Sequence, residues 1–116
     1  MKLIFMGTPD IAAQSLEAIL QEGAHEVCAV FTREDKPVGR KQVLTAPPVK
    51  QLAQAHGIPV FQPKTLKEEA VQEEIKNMQA DLIVVVAYGR LLPLAVLNAA
   101  RLGAVNLHVS LLPKYR

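Results

Sequence analysis

The sequence predicts an α/β fold with a doubly wound, mainly parallel β-sheet that carries helices on both faces. Short apolar runs alternate with amphipathic segments, and this order is typical of parallel strands joined by right-handed helical crossovers. The apolar run Ile83–Val86 is continuous rather than alternating, which indicates a strand that is buried on both of its faces. The 116 residues, half of them hydrophobic, suffice for one domain with a core of its own.

The individual elements follow from the same patterns. Strands are predicted at the apolar runs Leu3–Met6, Val27–Phe31, Ile58–Phe61, Leu82–Ala87 and Gly103–His108. Apolar residues recur at helical spacing in three segments, Ile11–Gln21, Pro48–His56 and Leu66–Met78. Gly23 and Gly57 follow two of these helices, at the position where a left-handed cap ends a helix. Thr32–Ala46 contains Pro37 and Gly39, and it is predicted to be a long irregular loop.

Composition and charge exclude several classes of protein. The net charge of +2 is too small to indicate nucleic-acid binding by the chain as a whole. The single cysteine, Cys28, lies in an apolar run and is predicted to be a buried, unreactive thiol. No apolar stretch approaches the roughly 20 residues that span a membrane, and Gly7 ends the apolar N-terminus too early for a signal peptide. We therefore expect a soluble protein of the cytoplasm.

Ligands of such folds bind beyond the carboxyl ends of the strands, near the point where the strand order reverses. The first of these turns, Gly7-Thr8-Pro9-Asp10, contains one glycine, so the G-x-G-x-x-G pattern is missing and NAD binding is disfavoured. Thr8 is expected to cap the following helix, and Pro9 to occupy its first turn. The turn is equally consistent with a weak anion site and with a plain strand-to-helix connection.

The loop after the second strand is the most basic part of the sequence. The segment from Thr32 to Lys50 inclusive contains five positive residues and two negative ones. Three of the positive residues, Lys36, Arg40 and Lys41, lie in its middle part. Such a loop can follow a phosphate backbone, with an affinity that falls as the salt concentration rises. On charge alone, a solvated surface excursion is the favoured interpretation.

Asn106 and His108 are the candidate catalytic pair at the end of the last predicted strand. Residues two apart on a strand share a face, so the two side chains project together, whereas Leu107 is expected to point into packing. A neutral histidine can accept an amine proton, and an asparagine amide can stabilise an oxyanion, so the pair suits acyl transfer to an amine. A histidine that only satisfies nearby backbone groups is the simpler alternative. The spacing of the histidines and carboxylates matches no metal site.

The segment Asn106–Arg116, with its N-x-H-x-S-L-L-P pattern, resembles the signature of the folate-dependent formyltransferases, and the similarity extends over essentially the whole chain. The resemblance implies a Rossmann-like domain, 10-formyltetrahydrofolate as the formyl donor and no metal. It also implies that Asn106 and His108 are the catalytic residues. The folate contacts that it implies are Ser110, Leu111, Leu112 and Pro113 in the signature and, largely through backbone groups, Ala87, Tyr88, Gly89, Leu91, Leu92 and Pro93.

The opening turn Gly7–Asp10 and the basic segment Asp35–Lys41 resemble the members of this family whose acceptor is initiator methionyl-tRNA. The resemblance implies that the basic loop contacts the tRNA, with Arg40 as the principal recognition residue and Lys41 and Lys36 beside it. That implication replaces the interpretation from charge alone.

The resemblance also implies a domain organisation. Residues 1–116 are expected to be the N-terminal part of the family's catalytic domain, whose remainder, including a catalytic aspartate, and whose C-terminal domain are absent from this chain. We expect little or no formyl transfer from these residues alone. Two other hypotheses stay open: a formyltransferase that acts on a small amine, and a non-catalytic module that binds folate or an anion.

Overall fold

The computed structural model of the protein describes residues 1–107, so the predictions at His108 and Ser110–Pro113 lie outside the described residues. In chain order the elements are β1 (Lys2–Gly7), α1 (Asp10–Glu22), β2 (Glu26–Phe31), β3 (Lys36–Val38), β4 (Val43–Thr45), α2 (Pro48–Ala55), β5 (Val60–Phe61), α3 (Glu69–Asn77), β6 (Leu82–Val86), α4 (Leu94–Leu97) and β7 (Ala104–Asn106). Each strand and helix predicted from the sequence has a counterpart among them. Strands β3 and β4 are additional, and the one-turn helix α4 lies in the connection between the last two predicted strands.

The main sheet is parallel, and its strands follow the order β5-β2-β1-β6-β7. The chain runs outward from β1 through β2 to β5, and then returns to the other side of β1 to form β6 and β7. The strand order therefore reverses between β1 and β6, as in a doubly wound fold. This arrangement confirms the predicted fold class.

Helices cover both faces of the sheet, and the alternation of side chains along β1 separates the two layers. Leu3 and Phe5 belong to a buried cluster that includes residues of α1 and α2. Ile4 and Met6 belong to a second buried cluster, which includes residues of α3 and α4. The buried side chains of β1 and β6 therefore meet apolar neighbours on both faces of the sheet, which explains why these strands carry continuous apolar runs.

The prediction of an irregular loop at Thr32–Ala46 is wrong, because β3 and β4 within it form an antiparallel hairpin. Pro37 pairs with Leu44 in this ribbon. A two-stranded ribbon has only edge strands, and an edge strand tolerates proline because the missing N–H can face outward. The carbonyl of Gly39 closes the turn by accepting hydrogen bonds from the backbone N–H of Gln42 at 3.2 Å and from its side-chain amide at 2.9 Å.

Gly23 ends α1 in the left-handed conformation, as predicted. Cys28 is half-buried against the core on the α3 and α4 side, and burial raises the pKa of its thiol above the ordinary value of 9.0. A raised pKa disfavours the reactive thiolate, which supports the prediction of an unreactive thiol, but Cys28 is partly rather than fully buried. No helix within residues 1–107 is long and apolar enough to cross a membrane.

Candidate functional site

The loops that follow β1, β2 and β6 meet at Thr8. The Thr8 hydroxyl donates a hydrogen bond to the backbone carbonyl of Tyr88 at 2.9 Å and accepts a longer one, of 3.4 Å, from the backbone N–H of Arg33. These contacts join the loops after β2 and β6 to the turn after β1. Because the strand order reverses between β1 and β6, the junction lies where ligands of doubly wound folds bind.

The prediction that Thr8 caps α1 is wrong. The N-cap of α1 is Pro9, whose side chain makes no capping hydrogen bond. The carbonyl of Pro9 accepts hydrogen bonds from the N–H groups of Ala12 and Ala13, each at 3.0 Å. Thr8 lies one residue too early to cap the helix, and its hydroxyl faces the neighbouring loop instead, where it bonds to Tyr88.

Gly7 allows β1, β6 and α1 to approach one another closely at this junction. A Cβ atom at Gly7 would lie 2.7 Å from the Cβ of Ala12 and 2.7 Å from the carbonyl oxygen of Val86. The second of these atoms belongs to the backbone of a buried strand, so it cannot move aside. A side chain at this position would therefore push α1 and β6 away from β1.

The loop after β6 presents its backbone, rather than its largest side chain, to the site. Ala87 and Gly89 have positive φ angles, of 49° and 86°, and both residues are exposed. The Tyr88 side chain between them is only 2% exposed, and its hydroxyl has no hydrogen-bond partner among the described residues. Burial raises the pKa of Tyr88 to about 12. Tyr88 thus contributes backbone groups to the site, whereas its ring belongs to the core.

A cleft of about 330 Å³ lies between this loop and the end of β7. Its lining residues are Val85, Ala87, Tyr88, Gly89, Arg90, Leu92, Asn106 and Leu107. Of the predicted folate contacts in the described part of the chain, the structure therefore brings Ala87–Gly89 and Leu92 together. It leaves Leu91, which is 74% exposed, and Pro93 outside the lining.

Asn106 reaches the cleft because β7 pairs with β6 and places Asn106 opposite Val85. Asn106 is exposed, so its carboxamide is open to a ligand. The prediction that Leu107 points into packing is wrong, because Leu107 is 41% exposed and lines the same cleft. Strand β7 is at the edge of the described sheet, where no further described strand covers Leu107. His108 lies outside the described residues.

A second, larger cavity, of about 550 Å³, lies between the Thr8 junction and the hairpin. The β1–α1 turn, residues 33–35, three hairpin residues, residues 46–48, Gln51 and Arg90 form its walls. Lys36 lines this cavity, whereas Arg40 and Lys41 lie in the exposed turn of the hairpin and outside the lining. Arg90 also lines the cleft, so the two cavities share a wall.

Polar contacts anchor both ends of the hairpin. At its entry, the Asp35 carboxylate accepts hydrogen bonds from Nε2 of Gln62 at 2.7 Å and from Nζ of Lys50 at 3.1 Å. These two hydrogen bonds, that from Gln62 first, lower the pKa of Asp35 below its usual range. At its exit, the side-chain amide of Gln51 donates to the carbonyl of Ala46 at 2.8 Å. The base of the hairpin is therefore held to α2 and to the segment after β5.

The hairpin itself is positively charged, whereas the charged groups at its anchored base are paired with each other. Asp35 neutralises Lys50, while the hairpin itself carries Lys36, Arg40 and Lys41 and no acidic residue. These three side chains are exposed, and none of them forms an ion pair within the part of the chain that the structure describes. The structure thus separates a neutral, anchored base from a basic, exposed end.

Glu34 and Arg90, which sequence reasoning did not single out, form an ion pair across the junction. A hydrogen bond from its own backbone, followed by that from Arg90, lowers the pKa of Glu34 below its usual range. The two residues are 56 positions apart, so no local spacing connects them. The one signal available in the sequence is that each follows a predicted strand, and parallel strands end at the same edge of a sheet.

No three His, Cys, Asp or Glu side chains among residues 1–107 are grouped closely enough to hold a metal ion. The absence of a metal from the protein stays a prediction, because His108 lies beyond that part of the chain.

The chain is similar to known proteins over its whole length. The family model described as formyl transferase matches residues 1–116. A methionyl-tRNA formyltransferase of Staphylococcus epidermidis is 55% identical over 115 residues, which are 99% of this chain and 36% of that protein. A methionyl-tRNA formyltransferase of Alkaliphilus oremlandii is 54% identical over 116 residues, which are 100% of this chain and 37% of that protein. The chain thus spans about a third of the length of the curated relatives it matches.

Two crystal structures share the fold. Phosphoribosylglycinamide formyltransferase from Bacillus halodurans superposes with a TM-score of 0.65 at 22% identity, over 99% of this chain and 59% of that one. Glycinamide ribonucleotide transformylase 1 from Symbiobacterium toebii superposes with a TM-score of 0.68 at 20% identity, over 99% of this chain and 54% of that one. At these identities the two structures establish a common fold.

Proposed function

Because the chain belongs to the formyl transferase family, we propose that it forms the N-terminal part of an enzyme that transfers a formyl group from 10-formyltetrahydrofolate to initiator methionyl-tRNA. The acceptor is the amino group of the methionine, and the product serves translation initiation. One observation carries the proposal: Asn106 lines the same cleft as the loop Ala87–Gly89, beside the reversal of strand order. The names of the two curated relatives support this acceptor, and because the chain spans about a third of their length, the activity is proposed for the complete protein.

The reaction needs a donor that stabilises the oxyanion at the formyl carbon and a base that takes the amine proton. Asn106 is assigned the first role, because its exposed carboxamide lies at the cleft, and such a donor lowers the barrier by about 2.7–4 kcal/mol. His108, two residues further on, is assigned the second role, since a neutral imidazole accepts a proton at neutral pH. The bond between the formyl carbon and the folate nitrogen then breaks, and His108 returns the proton to that nitrogen. The catalytic aspartate implied by the family resemblance would orient His108.

The cleft suits the pterin ring of the folate. Its volume of about 330 Å³ is at the low end for ligand pockets, which measure roughly 300–1,000 Å³, so it fits the ring rather than the whole molecule. The exposed backbone of Ala87 and Gly89 can satisfy donors and acceptors along the edge of the ring, and Leu92 offers an apolar surface to its face. Ser110–Pro113, Leu91 and Pro93 are proposed contacts of the rest of the folate.

The hairpin suits an RNA acceptor. Lys36, Arg40 and Lys41 are exposed and have no acidic neighbour on the hairpin. Contacts between such side chains and phosphates supply the salt-dependent part of nucleic-acid affinity. A small amine gives no reason for a basic turn outside the cleft, so this feature favours tRNA over a small acceptor. We assign Arg40 the principal contact, with Lys41 and Lys36 beside it.

The catalytic assignment is tested with His108→Ala and Asn106→Ala in the protein made from its complete coding sequence. We expect each variant to reduce formyl transfer to methionyl-tRNA by roughly 10²–10³-fold, because each removes a group that acts on the transition state. The Kd for the tRNA should be unchanged. Asn98→Ala, which replaces an exposed asparagine at the end of α4, is the matched control and should keep full activity. Undiminished turnover in either catalytic variant would overturn the assignment.

The acceptor is tested with Arg40→Ala and the salt dependence of tRNA binding. Loss of one phosphate contact weakens binding and lowers the slope of log K against log salt by about 1. Lys76→Ala removes an exposed cation from α3 and should leave the slope unchanged. An unchanged slope in Arg40→Ala, or equal formylation of a small amine, would contradict the tRNA acceptor.

A further inference from the structure

The Glu34–Arg90 ion pair connects the two proposed ligand sites. Glu34 belongs to the segment that leads from β2 into the hairpin, and Arg90 belongs to the loop after β6 that lines the cleft. Thr8 joins the same two loops through its hydroxyl group. A movement of either loop relative to the other therefore changes the separation of the two charges.

Arg90 is common to both sites. It lines the 330 Å³ cleft and the 550 Å³ cavity beside the hairpin, and its side chain is only 24% exposed. Arg33, in the loop after β2, in turn lies against Gly89 of the loop after β6. A Cβ atom at Gly89 would be 3.0 Å from Cδ of Arg33. The two loops thus interlock, because each extends an arginine to the other.

Glu34 is the charge that holds Arg90 in this position. Within the described residues, Nε of Arg90 is buried and has no hydrogen-bond partner, and Glu34 is the one carboxylate paired with the guanidinium. A partly buried guanidinium that loses its counter-charge is unfavourable, so it moves toward water when the partner is removed. Since Arg90 forms part of both walls, that movement alters the cleft and the cavity together.

We propose that Arg90 is a positioning residue that couples folate binding in the cleft to tRNA binding at the hairpin, with Glu34 as the partner that holds it. This inference rests on the proposed function, from which it takes its two ligands. A ligand that orders one of the two loops favours the formed ion pair. The other loop is then already positioned for its own ligand, so occupancy of either site strengthens binding at the other site. Thermodynamic linkage requires the same factor in both directions.

Contacts other than this ion pair also hold each of the two loops. Asp35 and Gln51 anchor the base of the hairpin, and Thr8 holds the loop after β6. These contacts remain after substitution of Glu34 or Arg90, so both loops stay anchored while the wall that the two sites share is altered. A purely structural role would instead lower both affinities while leaving their mutual dependence in place.

The test measures the Kd of tetrahydrofolate and of deacylated initiator tRNA, each with and without a saturating amount of the other, in the protein made from its complete coding sequence. These two ligands do not react, so the ratio of the two Kd values for each ligand reports the coupling alone. We expect a ratio of about five or more in the unmodified protein. Glu34→Gln and Arg90→Gln should bring the ratio close to one, whereas Arg90→Lys, which keeps the charge, should retain most of it.

Two variants serve as matched controls. Arg101→Gln breaks the 3.1 Å ion pair between Arg101 and Asp81, which lines neither cavity, and should leave the ratio unchanged. Lys50→Gln loosens the hairpin base without touching the loop after β6, and should weaken tRNA binding alone. A ratio that survives in both neutral variants, or a ratio of one in the unmodified protein, overturns the coupling and leaves the proposed function standing. An unmodified protein that binds neither ligand overturns both.

Discussion

The hydroxyl of Thr8 donates a 2.9 Å hydrogen bond to the backbone carbonyl of Tyr88, which is 80 residues further along the chain. The bond joins the turn after β1 to the loop after β6, the two strands between which the strand order reverses. It therefore fixes the backbone that lines the cleft to the most buried part of the sheet. The position of the cleft loop therefore involves a contact between residues that are distant in the sequence.

Thr8→Val keeps the shape of the side chain and removes the hydroxyl. We expect the free energy of unfolding to fall by about 1–2 kcal/mol, because the partly buried carbonyl of Tyr88 loses its donor. Urea denaturation measures the change. Thr45→Val is the control, since the hydroxyl of Thr45 bonds to the Val43 carbonyl on the exposed hairpin and its loss should matter little. Equal losses in the two variants would show that the junction contributes no more than a surface contact.

Gly7→Ala tests the close approach of β1, β6 and α1. The added Cβ would lie 2.7 Å from both the Val86 carbonyl oxygen and the Ala12 Cβ, so we expect a loss of about 3 kcal/mol, the upper end of the usual cost of overpacking. Gly57→Ala is the comparison: nothing lies within 4 Å of its Cβ, and only its φ of 69° opposes the change. That strain costs about 1–2 kcal/mol. If Gly7→Ala is the milder of the two in urea denaturation, the packing argument is wrong.

Tyr88→Phe tests whether the buried hydroxyl is unpaired. The Tyr88 hydroxyl has no hydrogen-bond partner within residues 1–107, and its removal should be neutral or stabilise the protein by up to about 1 kcal/mol. Folate binding should persist, because Tyr88 is proposed to contact the ligand through its backbone. Thermal unfolding with and without tetrahydrofolate measures both effects. A variant whose free energy of unfolding falls by more than about 1 kcal/mol would reveal a hydrogen-bond partner for the hydroxyl.

The acid side of the pH–stability profile should depend on Asp81. A hydrogen bond from the Lys2 backbone at 2.8 Å, and then the bond from Arg101, lower the pKa of Asp81 from its ordinary 3.8. A carboxyl group whose pKa is lowered by folding stabilises the protein above its unfolded pKa and loses that contribution as the pH falls through its folded pKa. We therefore expect the stability due to Asp81 to be fully present at neutral pH and to disappear below pH 3.8.

Asp81→Asn should make the denaturation midpoint less sensitive to acid in this range. Glu73→Gln, on the exposed face of α3, provides the control and should leave the acid limb unchanged. An acid limb as steep in Asp81→Asn as in the unmodified protein would contradict the assignment.

Much of the fold could be predicted because burial on two faces is recorded in local composition. The continuous run Ile83–Val86 predicted a strand that is buried on both faces, and the residues of β6 alternate between the two buried clusters. The hairpin was missed because Pro37 and Gly39 interrupt regular structure when they are considered locally. Pairing across the ribbon, with Pro37 opposite Leu44, is a non-local property that permits the proline.

For the candidate site, too, some features were predicted from the sequence and others depend on non-local contacts. Asn106 and the loop Ala87–Gly89 were predicted from the resemblance and the strand ends, and the structure places them on one cleft. The exposure of Leu107 was not foreseen, because it depends on which strands stand beside β7. The predicted cap at Thr8 failed for a related reason, since a hydroxyl bonds to whichever group the sheet brings near it.

By itself, the sequence determined the doubly wound order of elements, the apolar faces of the central strands and the basic composition of the hairpin. These are properties of neighbouring residues, and hydrophobic burial acts on them wherever the segment lies. Only the tertiary structure decided that Thr8 bonds to Tyr88 and that Glu34 meets Arg90. Such pairs join residues distant in the chain, and the order and register of the parallel strands, rather than any spacing in the sequence, bring them together at one edge.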